Sequence, residues 1–271
     1  YGIPFWTTLC SVGHFGMPPV THDTQNWQFN TAVASGSTGV LWYYYYMRNP
    51  QKDYRDSPID AFWERTPTWD VMRKIHTGFH GRYGDLFLNM AVTRVSFLPD
   101  GYGGGNVLEV DASDVVANAV AASDETVPLM ISEFVDLEGR RFVMVVNIDR
   151  ERSVFMGVKF PGDDVQIYAY DWQSNGRERR GASDNRYGVP SPVQRRDDAL
   201  VVSYQLGPGD AFVQRVDSTQ IRQSELTLQM RKMAGLDPQE PLEIELARKA
   251  VDRAKTDKKR EEAQAKLDEL I

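Results

Sequence analysis

The chain has 271 residues, of which 41% are hydrophobic and 25% charged, and carries a formal net charge of −7. That balance excludes global disorder and collagen-like repetition and leaves room for one large domain or two ordinary ones with an appendage. The acidic surplus repels phosphate backbones, so nucleic acid is not an expected partner, and no window reaches the roughly 18 to 20 consecutive apolar residues of a membrane-spanning helix.

The first residues, Tyr1-Gly-Ile-Pro-Phe-Trp, have no initiator Met and no signal-peptide core. They read directly as a strand, so the expectation is a chain that starts inside a larger protein. Residues 3–12 form an apolar run with the β-formers Phe5, Trp6, Thr7 and Thr8, and a Gly- and Pro-rich loop follows over 13–20. Within this run Cys10 is the chain's single cysteine, which excludes an intrachain disulfide, a Cys-based zinc site and a CxxC redox pair. Its ordinary reading is a small buried thiol. Thr21 or Asp23 caps a helix whose apolar side is Trp27, Phe29, Val33 and Ala34, and Gly36 is a suitable stop. Residues 39–46 read Gly-Val-Leu-Trp-Tyr-Tyr-Tyr-Tyr without polar alternation, the pattern of a strand buried on both faces in a parallel sheet. After a long loop, Thr66-Pro67 opens a second helix with Trp69, Met72, Ile75 and Phe79 on one stripe. Strand, helix, strand, helix is the βα alternation of an α/β barrel or a doubly wound sheet, and residues 1–90 supply two such units.

From residue 91 to 216 the period shortens. Strands are predicted at 92–97, 129–135, 141–147, 154–160, 165–170, 199–204 and 211–215, separated by Glu138-Gly139, Pro161-Gly162, Asn175-Gly176 and Gly207-Pro208-Gly209. This regular spacing predicts an antiparallel β-sandwich. No aromatic residue follows Val216, and residues 217–271 are rich in charges of both signs, so they form a helical tail that cannot build a core alone. Gly235 and Asp237-Pro238 predict a hinge between two helices, the second with a narrow stripe of Leu242, Leu246, Ala250 and Ala254 that the charged run 257–262 interrupts. The fold class is therefore α/β plus all-β, in three regions: 1–90, 91–216 and 217–271.

Two stretches carry a family resemblance. Pro4-Phe-Trp-Thr-Thr-Leu-Cys-Ser-Val, a loop, and Trp27-Gln-Phe-Asn-Thr-Ala-Val-Ala-Ser-Gly-Ser-Thr-Gly-Val-Leu-Trp-Tyr resemble the last two βα units of glycoside-hydrolase (β/α)8 barrels. Arg141-Phe-Val-Met-Val-Val-Asn-Ile-Asp, Val165-Gln-Ile-Tyr-Ala-Tyr-Asp and Leu206-Gly-Pro-Gly-Asp-Ala-Phe resemble the β-sandwich that commonly follows such barrels. The resemblance implies a partial (β/α)8 barrel followed by a sandwich, and an activity on glycosidic bonds by carboxylate acid/base chemistry with an oligo- or polysaccharide as partner. It is compatible with an extracellular or periplasmic setting, which no residue here fixes. It also implies a nucleophilic Glu at the end of the seventh barrel strand, but no carboxylate lies between Tyr1 and His22, and Cys10 stands about where one would be. The catalytic acids are then expected largely outside this chain. The alternative is a non-catalytic carbohydrate-binding or scaffold protein derived from such a barrel, and self-association through the open barrel edges or the tail is expected in either case.

Aromatic side chains at a strand end suit sugars, because the C–H face of a pyranose packs on a ring. Trp42, Tyr44 and Tyr46 share one side of the second strand by the period of two, and are read as a sugar platform or as core filler. His14, His22, Asp23 and Asn26 fall in the loop and helix start after the first strand, at the same mouth, and are read as substrate contacts or as solvated polar and capping groups. His76 and His80 have i, i+4 spacing but no Glu of a HExxH motif and no third ligand, so no metal or other cofactor is expected. The glycine-dense 100–105 segment lacks a phosphate loop's lysine and reads as a turn. The arginines 177, 179, 180, 186, 195 and 196, interleaved with aspartates, read as a solvated loop.

Overall fold

The computed structural model describes residues 4–14, 16, 18–47, 54–83, 86–99, 105–108, 118–121, 124–162, 164–170, 178–180, 193–196 and 199–218, a few positions between 232 and 254, and 257–270. It is a mixed α/β structure made mostly of strands in several sheets, with no closed barrel among the described residues. In chain order come β1 (Trp6–Cys10), β2 (Gly13–His14), α1 (His22–Ala34), β3 (Gly39–Tyr43), β4 (Tyr54–Arg55), α2 (Pro67–Tyr83) and a 3-10 turn at Leu86–Asn89. Ten strands follow: β5 (Met90–Leu98), β6 (Asn118–Ala121), β7 (Leu129–Asp136), β8 (Arg141–Asn147), β9 (Val154–Pro161), β10 (Gln166–Tyr170), β11 (Glu178–Arg180), β12 (Val193–Arg196), β13 (Ala199–Leu206) and β14 (Ala211–Asp217). A helix α3 (Asp257–Leu270) closes the described chain and runs through the charged stretch that the sequence pattern treats as an interruption. The 100–104 segment, Asn175-Gly176, Arg177, Arg186 and most of the expected helix before the 235–238 hinge lie outside the described residues.

β1 and β3 pair in parallel, with Trp6 opposite Gly39 and Cys10 opposite Tyr43. The helix between them starts at Thr21, whose hydroxyl accepts from the Thr24 amide while the Thr24 hydroxyl accepts from the Thr21 amide. It stops at Gly36, which holds φ at +88°. Gly39 has a packing reason: a Cβ there would stand 2.8 Å from the indole of Trp6, which lies across it. By the two-residue alternation Leu9, Val40 and Trp42 face the helices, whereas Trp6, Thr8, Leu41 and Tyr43 face away from them.

Two expectations for this segment change. The strand is not buried on both faces: Leu41 is 51% and Tyr43 41% exposed, because helices cover only one side of the β1–β3 pair. Nor does it run to residue 46. The chain turns at Tyr44, so the alternation that would put Trp42, Tyr44 and Tyr46 on one side ends at Tyr43.

The other strands form a six-stranded sheet in the order β11-β10-β14-β8-β7-β5 and a four-stranded sheet in the order β12-β13-β9-β6. Their pairings are antiparallel. One hydrophobic cluster joins the sheets, with Ile131, Val143, Val145 and Phe212 from the first and Met156, Val158, Phe160 and Val202 from the second. The other face of the six-stranded sheet carries Met130, Phe134, Phe142, Met144 and Val213, packed with Phe29 and Val33 of α1 and Ile75 and Tyr83 of α2. β7 and β8 are consequently buried at every position, their polar residues Ser132, Glu133, Asp136, Arg141 and Asn147 included.

Candidate functional site

The C-terminal ends of β1 and β3 lead into a surface of aromatic rings. Beyond β1, His14 sits in β2, which pairs with β4 so that His14 stands opposite Tyr54. Its Nε2 is 3.2 Å from the Tyr54 hydroxyl, and its ring meets those of Tyr54 and Tyr43 edge-on at 4.7 and 5.8 Å. The Tyr43 and Tyr54 hydroxyls are 3.3 Å apart, and Tyr44 lies 5.6 Å from Tyr43 and 5.5 Å from Tyr54 between ring centroids. Four polar-tipped rings thus share one patch, in which Tyr43 and Tyr44 remain exposed.

The loop after β3 folds back through backbone bonds between Tyr45, Met47 and Ile59, and then through a turn in which Asp60 Oδ1 accepts from the amides of Phe62 and Glu64. That turn sets Trp63 parallel to Tyr46 at a centroid distance of 3.9 Å. Tyr46 covers one face of the indole, yet Trp63 is 72% and its neighbour Phe62 80% exposed. Tyr45 accepts a hydrogen bond at 3.1 Å from the indole N–H of Trp69, whose ring carries the Arg65 guanidinium at 4.0 Å.

Trp42 occupies a different position. It is half-buried on the helix side of β3, its indole N–H donates to His76 Nε2 at 2.8 Å, and its ring meets the His76 imidazole edge-on. His76 is flanked by Phe29 and by the parallel ring of His80 at 6.2 Å. Burial pushes the His76 pKa below its ordinary value, and the charge of His80 acts in the same direction. Cys10 is half-buried, its thiol directed at the Val12 carbonyl, while Gln28 brackets its backbone N–H and C=O.

His22, Asp23 and Asn26 make their contacts elsewhere. His22 and Asp23 bond each other at 3.0 Å on the surface, and Asn26 donates to Asp210 at 2.8 Å in the turn between β13 and β14. His22 and Asn26 line a separate cleft between the helices and that turn. Of the residues picked out in the sequence, His14 and Tyr44 come together and Tyr46 lies beside them in the chain on its own stacked pair. The structure adds Tyr43, Tyr54 and Trp63. Trp63 had a legible signal, an aromatic in a loop between Pro58 and Pro67 with no periodic partner. Tyr54 had none, since its role depends on pairing across 40 residues.

Aromatic faces edged by hydroxyls and an imidazole can stack on an apolar ring face and hydrogen-bond its polar rim. Among the described residues no group of three or more His, Cys, Asp or Glu side chains is placed to hold a metal ion, and no helix is long and apolar enough to cross a membrane. Comparison of the chain with protein-family models, curated proteins and solved structures finds no match.

Proposed function

We propose that residues 1–216 are the C-terminal part of a carbohydrate-active protein of glycoside-hydrolase type, the last two βα units of a (β/α)8 barrel followed by a β-sandwich, and that the aromatic surface beyond β1 and β3 binds an oligo- or polysaccharide. The observation that carries this reading is the set of exposed rings Tyr43, Tyr44 and Trp63, with the half-buried Tyr54, beyond the C-terminal ends of two parallel strands joined by a helix. In barrels of this type, that end of the strands is where active sites are built. The exposed face of β3 and the open edges of the β1–β3 pair would then meet the remaining barrel strands.

Hydrolysis needs a carboxylate pair, about 5 to 5.5 Å apart for retention or about 6.5 to 9.5 Å for inversion. β1, the loop after it and the aromatic patch supply no such pair among the described residues, so the acids would come from outside this chain. A non-catalytic binding or scaffold protein is the second reading, favoured by the same lack of a carboxylate between Tyr1 and His22.

Titration with a panel of oligosaccharides, followed by tryptophan fluorescence and calorimetry, tests the binding. Trp63→Ala is expected to weaken the best ligand by about 1 to 3 kcal/mol, the range for a nucleobase stacked on an aromatic side chain, with little change in melting temperature because the ring is exposed. Unchanged affinity in both Trp63→Ala and Tyr54→Phe/Tyr43→Phe would remove the aromatic surface from the function. Turnover of aryl glycosides by a longer chain that contains these residues separates the enzyme from the binding protein.

A further inference from the structure

A second cleft lies away from the aromatic surface, between α1, α2 and the turn that joins β13 to β14. Along α2, Lys74, Gly78 and Arg82 form one i, i+4, i+8 row that lines it, the two cations about 12 Å apart along the axis with the glycine between them. A Cβ at Gly78 would meet nothing within 4 Å. A glycine inside a helix lowers stability relative to alanine, and at Gly78 neither the backbone nor a packed neighbour requires it. What its bare backbone does is keep the floor of the cleft open.

The charges around that floor are unbalanced. Neither Lys74 nor Arg82 makes an ion pair among the described residues. Arg82 stands beside the buried Tyr83, and its Nε is buried without a hydrogen-bond partner. A buried donor with no acceptor is uncommon enough to require an explanation. The carboxylate on the opposite wall, Asp210, already accepts from Asn26 Nδ2 and from the Gly207 amide, and the Asn30 amide is spent on Gly209 and Asn26. His22, at the rim, is bonded to Asp23.

We infer that this cleft is a binding site for a small organic anion, which lies across Gly78 with its oxyanion groups reaching Arg82 on one side and Lys74 on the other. Phosphate esters and short dicarboxylates share that chemistry. Long Lys and Arg stems let both heads lean over the open floor, and the Arg82 fork suits a planar or tetrahedral oxyanion.

Calorimetric titration of the full chain with inorganic phosphate and with succinate, at fixed ionic strength against sodium chloride, is the test. Saturable binding of either probe is expected. Phosphate alone points to an ester, succinate alone to a dicarboxylate. Lys74→Gln and Gly78→Leu are each expected to weaken binding at least tenfold while the far-UV circular dichroism is kept, and Gly78→Ala to keep the helix and bind more tightly than Gly78→Leu. Lys74 is exposed, so Lys74→Gln decides the matter if Gly78→Leu loses its helix. No saturable binding of either probe, or affinity unchanged in Lys74→Gln or in a folded Gly78→Leu, overturns the site.

Discussion

Gly209 holds φ at +69° in the turn between β13 and β14, and a Cβ there would stand 2.6 Å from the Trp27 nitrogen and 2.7 Å from the Asp23 carbonyl oxygen. Both neighbours are helix backbone and cannot move aside. The Gly209 carbonyl accepts from Asn30, which docks the turn against α1. Gly209→Ala combines a left-handed conformation with that clash and is expected to cost about 1 to 3 kcal/mol in denaturant unfolding. A loss below a few tenths would show that the turn can shift without leaving the helix. His76 makes a second prediction at this scale. Its Nε2 accepts the Trp42 N–H, so the native state holds the neutral ring, and burial lowers its pKa. The unfolded chain takes up a proton at about pH 6.5 while the native one does not. The stabilisation is therefore present above that pH and is lost as pH falls through the folded value. The melting temperature is expected to drop from about pH 7 to about pH 5, and to drop less in His76→Gln, whose amide oxygen can still accept from Trp42. Parallel declines in the two proteins would assign the effect to other groups.

α1 shows how one element serves two neighbours. Its sequence carries a cap at Thr21, a stop at Gly36 and an apolar side, and all three are used. Phe29 and Val33 face the six-stranded sheet and α2, while Asn26 and Asn30, a turn apart, tie the helix to the β13–β14 turn. β3 illustrates the opposite case. The run of four tyrosines reads as uniform strand, but Tyr45 and Tyr46 are held by bonds and bridges to Ile59, a residue from the loop, and the strand ends at Tyr43. No local pattern distinguishes a tyrosine in a strand from one in a turn that a later segment has fixed.

At the scale of the molecule, the change of pattern near residue 90 is not a gap in packing. The cluster that lines one face of the six-stranded sheet runs from Leu9 and Phe29 through Ile75 to Phe134, Phe142 and Met144. Residues 91–217 produced alone would uncover Met130, Phe134, Phe142, Met144 and Val146 as one apolar surface, larger than a monomeric protein ordinarily tolerates. That piece is expected to bind a hydrophobic dye, to associate on gel filtration and to melt below the full chain. A monomeric, dye-free, cooperatively melting piece would mean that the helices contribute nothing to the sheet they cover.

Periodicity, capping residues and turn residues are local, and they were enough to place α1, α2 and the principal strands near their observed bounds. The short strands β6, β11 and β12 are not legible, because three or four residues are too few for a pattern, and the partner of β6 lies far along the chain. The same distinction divides the candidate site. Composition and residue order suffice to place a crowd of aromatic side chains at the end of a strand in the first region. Long-range packing sets the rest: Trp42 turns inward to His76, Tyr43, Tyr44, Tyr54 and His14 meet, and Trp63 stacks on Tyr46. Those contacts depend on which side of β3 the helices cover and on how the following loop folds back, and both are set by residues distant in the chain.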